Sequence, residues 1–384
     1  MKVRTAAAVL LFWVGLGNHA VAEFTAEVVG EVERLPEVYP AHWVMVHDFS
    51  FFHMMEGEIV VTDPLADNLG AQYKGMMPAS FTAAYARSKV RNEHYVAETF
   101  FARGTRGGAR TDVLTIWDPA TLTVIDEVEI PPKRITGMPK TTMMDLLGDD
   151  RFIAVYNFTP SQSVSIVDLD KRSFVGEVPI AGCGFVIPNG ARSFTSICAN
   201  GALLTSHLDT DGRLTGTSKT PVVFDAEEDP IFEAPAKANQ VAYFPTFKGH
   251  VLPIDVSGAE VQVLPTWSLT GPQEQGWRPG GIRPAVADAD GVGYFLMHPD
   301  GAEGTHKNGG SEVWVYDLAA GKRVGKVTLE NWGLTVGVSG QGDQRLLFVT
   351  NVDMGIDVYR LPTNEFVHTL NLGGTTPFMV HGAE

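Results

Sequence analysis

The sequence predicts an all-β protein, a seven-bladed β-propeller built of four-stranded antiparallel blades. Two observations carry that prediction. A strand–Asp–turn–strand unit recurs along the chain, and glycine is raised, at 40 of 384 residues with 23 prolines, above the usual share of about 7%. Helical periodicity is poor after the N-terminus. The glycines follow no G-X-Y period and there is no long Ser/Gln/Pro tract, which excludes collagen and wholesale disorder.

Residues 1–22 read as a secretory signal peptide. Lys2 and Arg4 precede an apolar run from Ala6 to Leu16, and Ala20-Val-Ala22 forms a small-residue cleavage site. The run is too short to span about 30 Å of hydrocarbon as a helix, so cleavage after Ala22 is expected. The mature chain, 23–384, is then one exported propeller domain, periplasmic in a bacterial host.

The repeat follows. Its clearest copies are Glu58-Ile-Val-Val-Thr-Asp63, Val113-Leu-Thr-Ile-Trp-Asp118, Val164-Ser-Ile-Val-Asp168, Val251-Leu-Pro-Ile-Asp255 and Glu312-Val-Trp-Val-Tyr-Asp317. A degenerate copy is Ile356-Asp-Val-Tyr-Arg360. Alternating β-branched residues make half-buried strands. Asp then bonds its own backbone to turn the chain. One gap between anchors, 168 to 255, is about two periods wide. Ala202-Leu-Leu-Thr-Ser-His-Leu208 fills it, with Leu208 in the anchor position. Seven units of about 52 residues result, close to the size of a four-stranded blade, and radial repetition protects sheet edges. Leu269 to Gly276 is read as a short helix in an inserted loop.

A net charge of −16 leaves no basic surface for phosphate neutralisation and argues against nucleic-acid binding. No segment after the signal is long enough to cross a membrane as an apolar helix. Cys183 and Cys198 are the only cysteines. In an oxidising compartment one disulfide between them is expected.

Candidate chemistry is sparse. His298-Pro-Asp300-Gly-Ala-Glu303-Gly-Thr-His306 gathers His and carboxylate types that suit divalent ions, but its Pro and glycines exclude a helix that would align ligands. An ordered polar loop is the plainer reading. The stretch 42–56 interleaves His42, His47, Asp48, His53 and Glu56 with Phe49, Phe51, Phe52, Met54 and Met55. It fits propeller core and an exposed rim for a partner equally well. Arg103 to Asp112 is a basic glycine-rich loop before a strand; a phosphate cradle needs a helix there, so ion pairing to acidic neighbours is expected. No nucleophile–base–orienter set can be assembled from spacing.

Several segments nevertheless resemble one family. They are Arg110-Thr-Asp112 with Trp117-Asp118, Ile130-Pro-Pro-Lys-Arg134, Cys183 with Val186-Ile-Pro188, Ser193-Phe-Thr-Ser-Ile-Cys198, Asp229-Pro-Ile-Phe232, Trp277-Arg-Pro-Gly-Gly281 and Met297 to Lys307, the most specific. Over about residues 40–375 the chain resembles the large (heavy) subunit of quinoprotein amine dehydrogenases. The aromatic amine dehydrogenase large subunit looks nearer than the methylamine dehydrogenase heavy chain. The resemblance implies a periplasmic propeller with one disulfide, paired with a small (beta) subunit as an α2β2 heterotetramer. Tryptophan tryptophylquinone is implied in that small subunit. No catalytic, cofactor-binding or metal residue is implied in this chain. A primary amine would be oxidised to aldehyde and ammonia, with electrons passing to an azurin- or amicyanin-like blue copper protein.

The family's large subunit contributes a Phe to the substrate channel. The matching segment here is Asp48-Phe-Ser-Phe51 with Phe52 adjacent, so Phe51, and beside it Phe52, is the expected channel residue. The doubled aromatic and Met54-Met55 depart from the family's smaller or polar types, which leaves the amine open. A stand-alone periplasmic propeller without quinone, serving as a binding or scaffold protein, is the alternative; a propeller enzyme with its own metal is a third.

Overall fold

The recurring units fold as expected at the level of the strand and its turn. The computed structural model describes residues 34–54 and 56–383, so the signal peptide expected over 1–22 lies outside the described residues. The strands Gly57–Thr62, Arg110–Trp117, Ser163–Asp168, Leu203–Leu208, His250–Asp255, Gly310–Asp317 and Ile356–Arg360 end at or beside the seven anchors. The turn chemistry is the one predicted. The Asp118 carboxylate accepts from the backbone N–H groups of Ala120 and Thr121 at 2.9 and 2.8 Å, and that of Asp168 from Asp170 and Lys171 at 3.0 Å each. Where Leu208 replaces the anchor, the next residue takes over: Asp209 accepts from Asp211 and Arg213 at 2.8 and 2.9 Å.

The blade count is corrected. The described strands form five discrete blades of four or five strands and one eight-stranded sheet, not seven separate blades. The cause is the strand Lys322–Ser339, which runs 18 residues without a turn. Between Thr328 and Thr335 there is no Pro and no Asp to reverse the chain. Side chains hold this stretch extended instead: the Glu330 N–H donates to the Tyr359 hydroxyl at 2.8 Å, and the Asn331 amide donates to Asp357 at 3.0 Å. The fourth strand of one unit thus passes directly into the first strand of the next.

Half-burial also needs correcting. Middle strands such as Phe152–Asn157 and Ser163–Asp168 are buried along their whole length, whereas the outer strand Leu214–Lys219 is largely exposed. The polar side of an alternating strand meets the next sheet, not water. Some of its hydroxyls find partners within their own sheet, as where the Asn157 amide donates to Ser163 and Ser165 on the paired strand at 3.1 and 2.9 Å. A buried hydroxyl left unpaired would cost roughly 1–3 kcal/mol.

Apolar clusters bind neighbour to neighbour around the ring. One joins Val44 and Val46, near the start of the described chain, to Leu346, Phe348 and Val358 near its end. The last strand, Met379–Gly382, pairs antiparallel with Val44–Asp48 and so completes the first blade. Cys183 and Cys198 face each other across the strands Cys183–Asn189 and Ser193–Cys198 and form the expected disulfide. Residues 269–276 are consecutive turns rather than the expected helix: Gly271-Pro272 and Gly276 interrupt it, and Glu274 caps the Gly271 N–H while pairing with Arg323 at 2.7 Å. No helix among the described residues is long and apolar enough to cross a membrane.

Candidate functional site

The strand Val44–Asp48 ends at a carboxylate that organises everything after it. Asp48 is 3% exposed. It accepts from the Ser50 N–H at 2.8 Å, from the Thr376 N–H at 2.9 Å, and from the Thr375 N–H. Ser50 and Met54 both take left-handed backbone angles, φ 44° and 50°, and bracket a 3-10 turn over Phe51–His53. The Phe51 N–H donates to the Thr376 hydroxyl at 2.9 Å. Two segments more than 300 residues apart in sequence are thereby locked together. Gly374 is required at this junction, because a Cβ there would sit 2.4 Å from an Asp48 carboxylate oxygen.

The turn divides the aromatic stretch that composition left undecided. Phe49, Met45 and Met77 are core; Phe52, Met54 and Met76 are exposed, Phe52 at 67%. Met55 lies outside the described residues. Phe51 is half-buried. Its ring lies edge-on to Phe52 at 5.8 Å and tilted against Phe81 at 6.2 Å, and Phe52 in turn meets Phe378 edge-on at 6.4 Å.

Alternate loops of an antiparallel meander leave the same side. Loops 49–56, 131–143, 280–284, 352–355 and 371–378 therefore share one face. Phe51, Met138, Ile282, Leu334 and Met354 pack there against the buried Phe49, Phe378 and Met379. The result is an apolar patch with an aromatic rim.

The loop with His298 and His306 opens on the same face, farther round. It borders a cleft of about 550 Å³ lined also by Glu227, Glu228, Phe247, Lys248 and Arg278. His306 stacks on Phe247 at 4.2 Å, and its pKa is lowered by burial and then by the adjacent Lys307. His298 turns inward, 2% exposed, with Nδ1 against the Pro299 carbonyl at 2.9 Å. The two rings thus engage different neighbours. Among the described residues no group of three His, Cys, Asp or Glu side chains is placed to hold a metal ion. In the basic loop, Arg110 pairs with Asp112 through two bonds of 2.8 Å each and also caps the Arg134 carbonyl.

The family model of the methylamine dehydrogenase heavy chain (MADH) matches residues 40–383. The chain belongs to that family. The methylamine dehydrogenase heavy chain of Methylorubrum extorquens is 27% identical over 291 residues, covering 74% of this chain and 70% of the relative. That of Methylophilus methylotrophus is 26% identical over 341 residues, covering 87% and 82%. Among solved structures, the periplasmic gluconolactonase of Pseudomonas aeruginosa superposes with a TM-score of 0.58 at 16% identity, covering 88% of this chain and 98% of that one. A dihydro-heme d1 dehydrogenase superposes with a TM-score of 0.53 at 14% identity, covering 91% and 78%. At such identities these two show the propeller fold alone.

Membership in the methylamine dehydrogenase heavy chain family agrees with the resemblance to a quinoprotein amine dehydrogenase large subunit. The relatives above carry the methylamine name, and a preference for aromatic amines is not shown. Sequence reasoning singled out Phe51 and Phe52 but missed Asp48, Thr375 and Thr376 as the residues that position them. Thr-Thr-Pro after two glycines has no motif value on its own. The only local signal was an Asp two residues before a Ser, an Asx-turn pattern.

Proposed function

We propose that this chain is the large, non-cofactor-bearing subunit of a periplasmic tryptophan tryptophylquinone-dependent amine dehydrogenase, an α2β2 heterotetramer. Family membership over residues 40–383 supports the class. The arrangement that carries the role of this chain is the Phe51 turn, pinned by Asp48 and Thr376 within an apolar patch on one face. Such a patch scaffolds a small subunit, and Phe51, with Phe52 at its edge, lines the path by which the amine enters. Amine oxidation to aldehyde and ammonia is the chemistry supplied by the quinone of the small subunit, with electrons leaving to a blue copper protein. This chain orients and sieves. The double aromatic rim favours a primary amine with an aromatic substituent over a bare alkyl amine, because ring stacking adds about 0.5–1.5 kcal/mol beyond apolar burial.

The test is Phe51→Ala in the assembled holoenzyme, comparing kcat/KM for methylamine and for a phenylethylamine. Removing the ring should change their ratio by roughly 10- to 200-fold, the range set by a reshaped apolar pocket. An equal loss for both amines, with the ratio unchanged, contradicts a channel role. Purification of the chain without any quinone-bearing small subunit contradicts the class.

A further inference from the structure

The first strand of each unit runs along the ring axis, and basic side chains collect there. Two cavities of about 210 and 400 Å³ lie along the axis and share Lys237, Arg283, Val286 and Ala287 in their walls. The first also meets Arg87 and Asp145, the second Lys89 and Asp288. The second is bordered by the loops that hold Lys89, Asn239, Ala289 and Gln341. Those loops leave the face opposite Phe51. On the Phe51 side, Ile282, Leu334 and Phe378 belong to the apolar patch. The second cavity therefore opens on the far face, and Arg283, next to Ile282, reaches it from the Phe51 end.

Its charge is out of keeping with the rest of the molecule. The whole chain carries −16, yet four cationic side chains face this space against two carboxylates. Asp288 is taken up by Arg345 at 2.6 Å, and Asp145 pairs with Lys237 itself at 2.5 Å through one of its ammonium N–H groups, which leaves Arg87, Lys89 and Arg283 without a carboxylate partner among the described residues. Arg283 makes one protein contact through its guanidinium, donating to the Val380 carbonyl at 2.8 Å, and has no ion pair among the described residues. Protein surrounds it, and burial brings its pKa down to about 10. Part of its surface still faces the cavity. An enclosed guanidinium without a counter-charge is costly, and a cleft with low-dielectric walls concentrates ions of opposite sign. A guanidinium fork beside an ammonium is the donor set that matches a planar carboxylate or a tetrahedral phosphate.

We propose that the axial channel is a binding site for a small multivalent oxyanion, held between Arg283 and Lys237, with Arg87 and Lys89 drawing it inward. The site lies inside the axial channel, with Arg283 reaching it from the loop at the Phe51 end and Lys89 at the mouth on the opposite face. The experiment is calorimetric titration of the assembled protein with citrate and with inorganic phosphate, at fixed ionic strength and with chloride as the control anion. Saturable binding of either one, with none for chloride, is expected. A preference for citrate marks a carboxylate ligand, and a preference for phosphate marks a phosphoryl ligand. Lys237→Met should weaken binding about tenfold, the effect of removing one nearby charge, and Arg283→Gln at least as much. Lys237 and Lys89 are exposed to the channel, so Lys237→Met and Lys89→Ala keep the test informative if Arg283→Gln fails to fold. No saturable binding of either anion, or binding unchanged in Lys237→Met, overturns the proposal.

Discussion

Acid should destabilise this protein through its buried histidines before its turn-capping carboxylates matter, opposed in part by Glu98 and Glu58, whose pKa values burial raises. His94 is fully buried, with Nδ1 at 2.7 Å from the Tyr85 hydroxyl and Nε2 at 3.3 Å from the Tyr39 hydroxyl. Tyr39 donates its own proton to the Pro119 carbonyl at 2.5 Å, so it accepts from Nε2–H. Nδ1 must then accept from Tyr85. That chain gives every group a partner with neutral imidazole, whereas imidazolium would turn Tyr85 into an acceptor and leave its O–H without the His94 partner. Burial, with Arg87 adding to it, lowers the His94 pKa to about 3. His47 is also lowered to about 3 by burial alone, with its ring packed edge-on to Phe49 at 4.3 Å. In the unfolded chain both titrate near 6.5. Below that value the unfolded state binds two more protons than the folded one. Stability is therefore complete above about pH 6.5 and falls with acid by roughly 1.4 kcal/mol per pH unit for each His, levelling off near the folded value. From pH 7.5 to 5.5 the pair should cost about 3 kcal/mol. His381, lowered by burial and then by Arg283 and His47, adds in the same direction. Carboxylates held low by turn hydrogen bonds, such as Asp118 and Asp168, contribute only below about pH 4. Urea unfolding at half-unit pH steps reads the slope. His94→Gln should remove one proton's share of it, whatever its effect on absolute stability. A slope between pH 5.5 and 6.5 that is the same in His94→Gln, His47→Gln and the parent would refute the reasoning.

Asp48→Ala should destabilise the fold by about 3 kcal/mol, since it strands buried N–H groups that now meet a carboxylate. It should also shift the amine preference in the same direction as Phe51→Ala, because the turn loses its anchor; stability and kcat/KM ratios measured together check this. Gly374→Val should produce the same pair of effects through the clash with Asp48. Thiol titration of unfolded, unreduced protein should find no free thiol, given the Cys183–Cys198 bond. Cys198→Ser should lower stability by roughly 3 kcal/mol for a loop of this length, read as a lower urea midpoint.

What the sequence made legible was local chemistry. Asp118 and Asp168 turn the chain through bonds to residues two and three positions on, so the pattern is visible without knowing the fold. The disulfide was equally accessible, because two cysteines in a chain expected to be exported leave one pairing. Blade separation was not. It depends on whether the chain turns between Thr328 and Thr335, and the contacts that keep it straight come from Tyr359 and Asp357 in a later strand. The supposed helix at 269–276 failed for the opposite reason: Gly271, Pro272 and Gly276 were local evidence against it.

The two functional regions differ in the same way. Phe51 could be reached from sequence only through family resemblance, and its geometry rests on Thr376, 325 residues away. Asp48 reaches Thr375 across 327 residues. Such partners become neighbours only when Met379–Gly382 joins the first blade. Ring closure is therefore what builds the Phe51 turn as well as what completes the fold. A variant that frees the C-terminal strand should lose the ordered turn and the closed ring together. The basic channel has the same origin. Arg87 and Lys237 lie in separate strands and Arg283 in the loop before a third, and the three share no motif. Only a closed ring brings these segments round one axis and leaves their charges facing one space.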